Sequence, residues 1–129
     1  MPFDFAPSDD LSRRGLVAYH DGLAAEDAVE THYAAMGYRI LDRRWRGQGG
    51  EIDLILQGDD GLIFVEVKKA KTHAFAAERL SMRQLQRICA SAEDYAAQKF
   101  PGALVNMRVD LAMVDAKGCI EVLPNISLC

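Results

Sequence analysis

The chain has 129 residues, of which half are apolar and 26% are charged, and its net charge is −4. This length and composition fit one globular domain, and no apolar run approaches the roughly 20 residues of a membrane helix. The acidic start, MPFDFAPSDD, has no basic segment ahead of an apolar one, so we do not expect it to act as a signal peptide. We expect a disordered tail at residues 1–10 and a single domain at residues 11–129.

The three cysteines, Cys89, Cys119 and Cys129, are odd in number, far apart, and form no CxxC pair. This pattern argues against a zinc site or a disulfide framework. We therefore expect a reducing, cytoplasmic compartment, with Cys89 packed as a small apolar residue.

Apolar residues recur with helical spacing from Leu11 to Met36, and Gly37 follows in the position of a C-cap glycine. Gly22 interrupts the pattern, so one helix and two helices are both compatible with it. The next segment, Tyr38–Trp45, is predicted to be the first strand. The glycine-rich stretch 46–50 after it is expected to be a flexible connector.

The remaining elements follow in regular order. Two strands, Glu51–Gln57 and Leu62–Lys69, are separated by the hairpin-turn sequence Gly58-Asp59-Asp60-Gly61. A second helix begins at Ser81, with Gln84 placed to complete a capping box. Two more strands, 104–114 and 119–123, give the order α-β-β-β-α-β-β. The chain is thus predicted to be an α/β domain, with a mixed sheet of about five strands and flanking helices.

Charged residues interrupt two otherwise apolar strands, GEIDLI and FVEVK, although such residues are rarely buried without a partner. Strand alternation places Glu51 and Asp53 on one face, and Glu66 and Lys68 on one face of the next strand. A symmetric four-residue turn sets Asp53 opposite Glu66, and Glu51 opposite Lys68. Facing carboxylates repel unless a proton or cation joins them, and Mg²⁺ prefers oxygen ligands. On the strand pattern alone, cross-strand ion pairing is the favoured alternative.

Asp53 followed on the next strand by Glu66-Val67-Lys68 resembles the PD-(D/E)-x-K nuclease signature. The chain is more closely similar to the YraN-like family of small bacterial proteins, which are predicted endonucleases. That family has a restriction-endonuclease-like fold related to archaeal Holliday-junction resolvases. The matching stretches are Ala25-Glu26, Gly37-Tyr38-Arg39-Ile40-Leu41, Arg43, Trp45-Arg46, Gly50-Glu51-Ile52-Asp53-Leu54-Ile55, Phe64-Val65-Glu66-Val67-Lys68 and Arg83-Gln84-x-x-Arg87.

The resemblance implies a Mg²⁺- or Mn²⁺-dependent endonuclease with Asp53, Glu66 and Lys68 as catalytic residues. Asp53, Glu66 and the backbone carbonyl of Val67 would hold the metal, and Glu26 would assist directly or through water. Lys68 would act at the scissile phosphate. DNA, branched DNA included, is expected rather than RNA, no membrane is expected, and the relationship to two-fold resolvases allows a homodimer.

The sequence departs from the family pattern at two points. Where the family often has Asn after the first Arg of its Arg-Asn-Trp-Arg stretch, this chain has Arg44. Where the family tends to have Arg two residues after the motif lysine, this chain has Ala70 between Lys69 and Lys71. Substrate contacts at these two points do not carry over from the family.

Basic residues concentrate around the motif: residues 39–87 contain ten Lys/Arg and seven Asp/Glu, whereas the rest contains five and twelve. An acidic protein with a local basic face can still bind nucleic acid in a salt-dependent manner. The candidate contacts are Arg43, Arg44, Arg46, Lys69, Lys71, Arg83 and Arg87.

Several of these residues have a structural alternative. The row Arg79, Arg83 and Arg87 also fits a solvated helix face, and Trp45 fits either the core or a base-stacking position. Glu51 is either an accessory site residue or a structural partner, and Gln84 either an accessory site residue or a helix cap. At the level of the whole chain, the alternative function is a nucleic-acid-binding module without catalysis in a DNA-processing complex, which the acidic net charge favours.

Overall fold

The computed structural model describes the backbone of residues 9–126 and the side chains of residues 22–126. Residues 1–8 of the expected tail therefore lie outside the described part of the chain, as does Cys129. The elements are α1 (Asp9–Ala35), β1 (Arg39–Gly47), β2 (Gly50–Gly58), β3 (Gly61–Lys69), α2 (His73–Glu78), α3 (Met82–Lys99), β4 (Met107–Val114) and β5 (Ile120–Leu123).

The five strands form one mixed sheet in the order β1-β2-β3-β4-β5. Only β3 and β4 are parallel, and the other neighbours are antiparallel. A parallel pair needs a long crossover, which α2 and α3 supply. The predicted α/β class and order of main elements are confirmed, with α2 as an additional short helix. In the range that the structure describes, no helix is long and apolar enough to cross a membrane.

The helix α1 covers one face of the sheet. It runs unbroken through Gly22, so the two-helix alternative is wrong. Gly37, at φ +94°, follows its C-terminus as predicted, and its N–H donates to the Ala34 carbonyl at 3.0 Å. The buried residues shared by α1 and this face of the sheet are Ala25, Val29, Tyr33, Leu54, Leu56, Ile63, Val65, Ala112 and Val114.

The helix α3 covers the opposite face. Its predicted N-cap is confirmed, since Ser81 Oγ accepts a hydrogen bond from the Gln84 N–H at 3.1 Å. Cys89 packs in this second core as expected. The buried residues on this side are Ile52, Ile55, Leu62, Phe64, Leu85, Ile88, Cys89, Ala92, Tyr95 and Val109.

The glycine-rich stretch between β1 and β2 is a two-residue turn clamped onto α3, and not the flexible connector that its composition predicts. The N–H of Gln48 donates to Asp94 Oδ2 at 2.9 Å, and Ser91 Oγ donates to the first carbonyl of β2 at 2.9 Å. A Cβ atom at Gly49 would overlap the carbonyl oxygen of Arg87. Close backbone packing therefore requires glycine here, and the turn fixes how α3 lies on β2.

Candidate active site

The hairpin of β2 and β3 pairs regularly only as far as the candidate site. The pairs run from Gly58 with Gly61 to Leu54 with Val65, which confirms the symmetric turn over this range. At the next position, Asp53 Oδ2 accepts a hydrogen bond from the Val67 N–H at 2.7 Å. The Asp53 carboxylate thus accepts the hydrogen bond that a backbone carbonyl of β2 would accept in a regular ladder. The direct pairing of Asp53 with Glu66, predicted from the register, is not among the β2–β3 backbone pairs.

The alternation of side chains in β2 also breaks at Asp53. Leu54 packs in the core beneath α1, whereas Ile55 and Ile52 both pack in the core beneath α3. Regular alternation would place Ile52 on the same side as Leu54. Asp53 therefore lies at a local reversal, with its side chain directed toward the backbone of β3. On β1, the residue opposite this point is Arg44, whose φ is +48°.

Glu66 is the second carboxylate of the site, and it is only 5% exposed. Its Oε2 accepts a hydrogen bond from Gln84 Nε2 at 2.6 Å and lies 3.1 Å from Lys68 Nζ. The Gln84 side chain therefore reaches into the site and does not close the expected capping box. The helix α3 and the strand β3 together fix the orientation of the Glu66 carboxylate.

The electrostatics of the site are dominated by buried negative charge. Burial, and then the neighbouring Glu66 carboxylate, raise the pKa of Asp53 far above its usual range. The Val67 N–H and the Lys68 ammonium act in the opposite direction but do not offset the two larger effects. At neutral pH, the pair of carboxylates therefore needs either a proton or an additional cation.

Two further carboxylates lie beside this pair. Burial, and then Asp53, raise the pKa of Glu26, although Arg44 Nε donates a hydrogen bond to Glu26 Oε1 at 3.0 Å. The negative charge of Glu51 also raises the pKa of Glu26. Glu51 Oε2 lies 3.9 Å from Arg46 Nη2. Because the reversal at Asp53 turns Glu51 toward α1, the expected ion pair between Glu51 and Lys68 is not formed among the described residues.

The donor atoms suit a hard divalent ion bound by two carboxylates. Within the described range, no three His, Cys, Asp or Glu side chains are grouped so that they could hold a metal. In a strand, the N–H and C=O of one residue face the same neighbour, so the Val67 carbonyl faces β2 as its N–H does. Mg²⁺ is usually held by one or two carboxylates, with water and phosphate completing its shell. Asp53, Glu66 and the Val67 carbonyl fit this description.

The arginines of β1, predicted to contact nucleic acid, each lie against a glutamate. Arg43 donates to both carboxylate oxygens of Glu30, at 2.5 and 2.6 Å. Arg44 is bonded to Glu26, and Arg46 lies near Glu51. These contacts neutralise much of the positive charge of β1 within the protein itself.

Trp45, on the same strand, belongs to the core, which decides between its two predicted positions. Its ring packs edge-to-face on Tyr95 at 5.0 Å between centroids. Tyr95 in turn donates a hydrogen bond to Asp42 Oδ2 at 2.8 Å. The indole therefore joins β1 to α3.

The basic residues that follow β3 are differently placed. Lys71, Arg83 and Arg87 are exposed, and none of them has an acidic partner among the residues described. Arg79 is also exposed, and its Nη1 donates to the Lys69 carbonyl at 2.7 Å. Arg79, Arg83 and Arg87 are thus exposed to solvent near Gln84. This position fits both a solvated surface and a surface that contacts phosphate.

The sequence pattern does not predict two features of the site. One is the backbone N–H of Val67, because a backbone group leaves no signal in side-chain identity. The other is α2, although Thr72 before an alanine-rich run is a recognisable start. Thr72 Oγ1 accepts a hydrogen bond from the Phe75 N–H at 3.2 Å, as an N-cap does.

Fold and site together define a mixed α/β domain in which a half-buried aspartate, a buried glutamate and a lysine lie at the end of a β-hairpin. The chain belongs to the family described as Uncharacterised protein family UPF0102, whose model matches residues 25–114, a range that contains every candidate site residue.

Relatives of similar length match most of the chain. It is 48% identical over 111 residues to a UPF0102 protein of Roseobacter denitrificans, with 86% of each chain covered. A UPF0102 protein of Cereibacter sphaeroides is 47% identical over 111 residues, which is 86% of this chain and 95% of its own. One from Ruegeria pomeroyi is 44% identical over 115 residues, or 89% and 94%.

Proposed function

We propose that this protein is a metal-dependent endonuclease that hydrolyses phosphodiester bonds in DNA. The observation that carries the proposal is the carboxylate pair of half-buried Asp53 and buried Glu66, with Lys68 Nζ 3.1 Å from Glu66 Oε2. Adjacent carboxylates shielded from water are unfavourable unless a proton or a cation joins them, and these offer the oxygen ligands of Mg²⁺ or Mn²⁺. The likeness of Asp53 and Glu66-Val67-Lys68 to the nuclease signature supports the same conclusion.

Each residue has a defined part in this chemistry. A bound divalent ion lowers the pKa of water and neutralises negative charge on the phosphate. Asp53, Glu66 and the Val67 carbonyl would hold that ion. Lys68, aligned by Glu66, places a positive charge where the phosphate oxygens become more negative during attack. Gln84 holds the Glu66 carboxylate in one orientation.

Glu26 completes the site from the side of α1. Its carboxylate lies close enough to Asp53 for each to affect the other's charge, and Arg44 holds it there. We assign Glu26 to the water layer around the ion, because Arg44 already occupies its Oε1. The family resemblance implies that Glu26 assists either directly or through water, and this role is the second of the two.

A cleavage assay tests the proposal. Wild type is incubated with duplex, single-stranded and four-way-junction DNA in Mg²⁺, Mn²⁺ or EDTA. We expect cleavage only with metal, and a loss of about 100-fold or more in Asp53→Asn, Glu66→Gln and Lys68→Ala. Lys117→Ala, in an exposed turn, is the matched control and should cleave like wild type. Cleavage in EDTA, or full activity in all three site variants, would refute the proposal. DNA binding by folded wild type without any cleavage would favour the non-catalytic module.

A further inference from the structure

Two large apolar side chains lie in solvent on the segment that follows β3. Phe75 is 56% exposed and Met82 is 57% exposed. On α2 the small Ala76 is buried while the phenyl ring of Phe75 points outward. The exposed ring of Phe75 is therefore available for contact with a ligand.

This segment is fixed at the same end of the sheet as the carboxylate pair. Arg79, at the end of α2, donates to the carbonyl of Lys69, the last residue of β3. Gln84, in the first turn of α3, donates to Glu66 on the same strand. Phe75 lies one helical turn before Arg79, and Met82 lies two residues before Gln84. Both residues therefore lie on elements that are anchored to β3, the strand that carries Glu66 and Lys68.

The same segment is the most basic part of the chain. Residues 69–92 contain five Lys/Arg and one Asp/Glu, a net charge of +4 in a protein of net charge −4. Three of these cations, Lys71, Arg83 and Arg87, have no acidic partner in the described structure, in contrast to the arginines of β1. Exposed aromatic rings among unpaired cations are typical of surfaces that bind single-stranded nucleic acid.

We propose that this surface, formed by Lys71, Phe75, Met82, Arg83 and Arg87, binds a DNA strand with unpaired bases. Phe75 stacks on a base and Met82 contacts its neighbour, while the three cations bind backbone phosphates. In a duplex, the same cations reach phosphates, but the base faces are covered by neighbouring bases and offer nothing to the phenyl ring. The inference rests on the proposed function, and it narrows the substrate to DNA with a single-stranded segment next to the cleaved bond.

Fluorescence anisotropy in EDTA tests this inference without cleavage. The probes are a labelled single strand of about 20 nucleotides, longer than one stacking site, and a blunt duplex of the same sequence. Wild type should bind the single strand more tightly. Phe75→Ala should weaken single-strand binding by roughly 5- to 100-fold, the effect of one lost base stack, and change duplex binding by less than about twofold.

Three further variants separate stacking from other causes. Phe75→Leu keeps an apolar side chain without a ring and should weaken single-strand binding as Phe75→Ala does, whereas Phe75→Trp should retain it. Leu104→Ala removes a fully exposed apolar side chain outside this surface and should bind like wild type. Arg83→Gln should weaken binding of both probes.

Two results would overturn the inference: equal binding of the two probes by wild type, or equal effects of Phe75→Ala on both. Because the assay contains no metal, its outcome is independent of catalysis. Metal-dependent cleavage of blunt duplex that Phe75→Ala does not alter would leave the proposed function intact and refute the single-strand preference. Preferred binding of the single strand without any cleavage would support the single-strand preference and refute the proposed nuclease activity.

Discussion

Asp53 is held at the end of the β2–β3 ladder by a backbone N–H and not by a cationic side chain. Lys68 and Gln84 both contact Glu66, so the second carboxylate of the pair has its own donors. Among the described residues, the Val67 N–H donates to Asp53, and it lowers the pKa of Asp53 less than burial and Glu66 raise it. The unfavourable charge of the metal-free site is therefore concentrated on Asp53.

Asp53→Asn should stabilise the metal-free protein at alkaline pH. The pKa of Asp53 is raised to about 8, so the folded protein binds this proton more tightly than the unfolded chain does. The resulting stability is fully present below about pH 4 and is lost as pH rises through 8. Asparagine removes the charge and keeps an oxygen for the Val67 N–H. Thermal unfolding in EDTA at pH 8 should show a gain of at least about 1 kcal/mol, which vanishes near pH 4.

The matched control for this prediction is Asp59→Asn. Asp59 lies in the exposed turn between β2 and β3, so its charge should not affect stability in the same way. The prediction would be contradicted if the difference in melting temperature between wild type and Asp53→Asn were the same at pH 4 and pH 8. Asp53 would then be ionised at neutral pH in the metal-free protein.

At the scale of elements, the β1–β2 turn determines the position of α3. The turn is bonded to Asp94 and Ser91 on α3, and Gly49 lies against the backbone of Arg87. Gln84 lies on the same helix, less than one turn before Arg87. The packing of Gly49 against α3 thus affects the hydrogen bond that orients Glu66.

Gly49→Ala should destabilise the fold and reduce cleavage together. The added methyl overlaps the Arg87 carbonyl oxygen, so α3 must move away from β2 and carry Gln84 with it. We expect a loss of about 1–3 kcal/mol in chemical denaturation. Gly22→Ala, in α1 with open space around it, is the control and should stabilise by roughly 0.5–1 kcal/mol. Unchanged stability and activity in Gly49→Ala would show that the turn does not hold the helix.

The predictable parts of this fold are those with local signals. Gly37 ends α1, Ser81 begins α3, and the Gly58–Gly61 turn sets the hairpin register, because each depends on neighbours in sequence. The unpredicted parts depend on distant residues. The turn at Gly49 is rigid only because α3 lies against it, and composition alone cannot distinguish that from a flexible loop.

The candidate site divides in the same way. The stretches GEIDLI and FVEVK are enough to predict Asp53, Glu66 and Lys68 as site residues. The reversal at Asp53 is not, because strict alternation is the default for a strand. That single irregularity redirects Glu51 from Lys68 toward Glu26, so the Glu26 carboxylate of α1 is affected by both Asp53 and Glu51 of β2.

Across the whole molecule, charge is distributed so that one basic surface stands out. The arginines of β1 face glutamates, two of them on α1, and contribute little net positive charge outward. In the segment 69–92, Lys71, Arg83 and Arg87 have no acidic partner among the described residues. Nucleic acid should therefore approach from the side of α2 and the N-terminal half of α3, and not across β1.

The salt dependence of duplex binding distinguishes these two approaches. Each phosphate contact contributes about −0.9 to the slope of log K against log salt concentration. Contacts by Lys71, Arg79, Arg83 and Arg87 give a slope of about −3 to −4, and adding the three β1 arginines gives about −6. Anisotropy titrations in EDTA at increasing NaCl measure this slope. Arg83→Gln should reduce its magnitude by about 1, whereas Arg43→Gln should leave it unchanged. A slope near −6 that Arg43→Gln reduces would mean that the arginine–glutamate pairs open on binding, and β1 would then belong to the DNA interface.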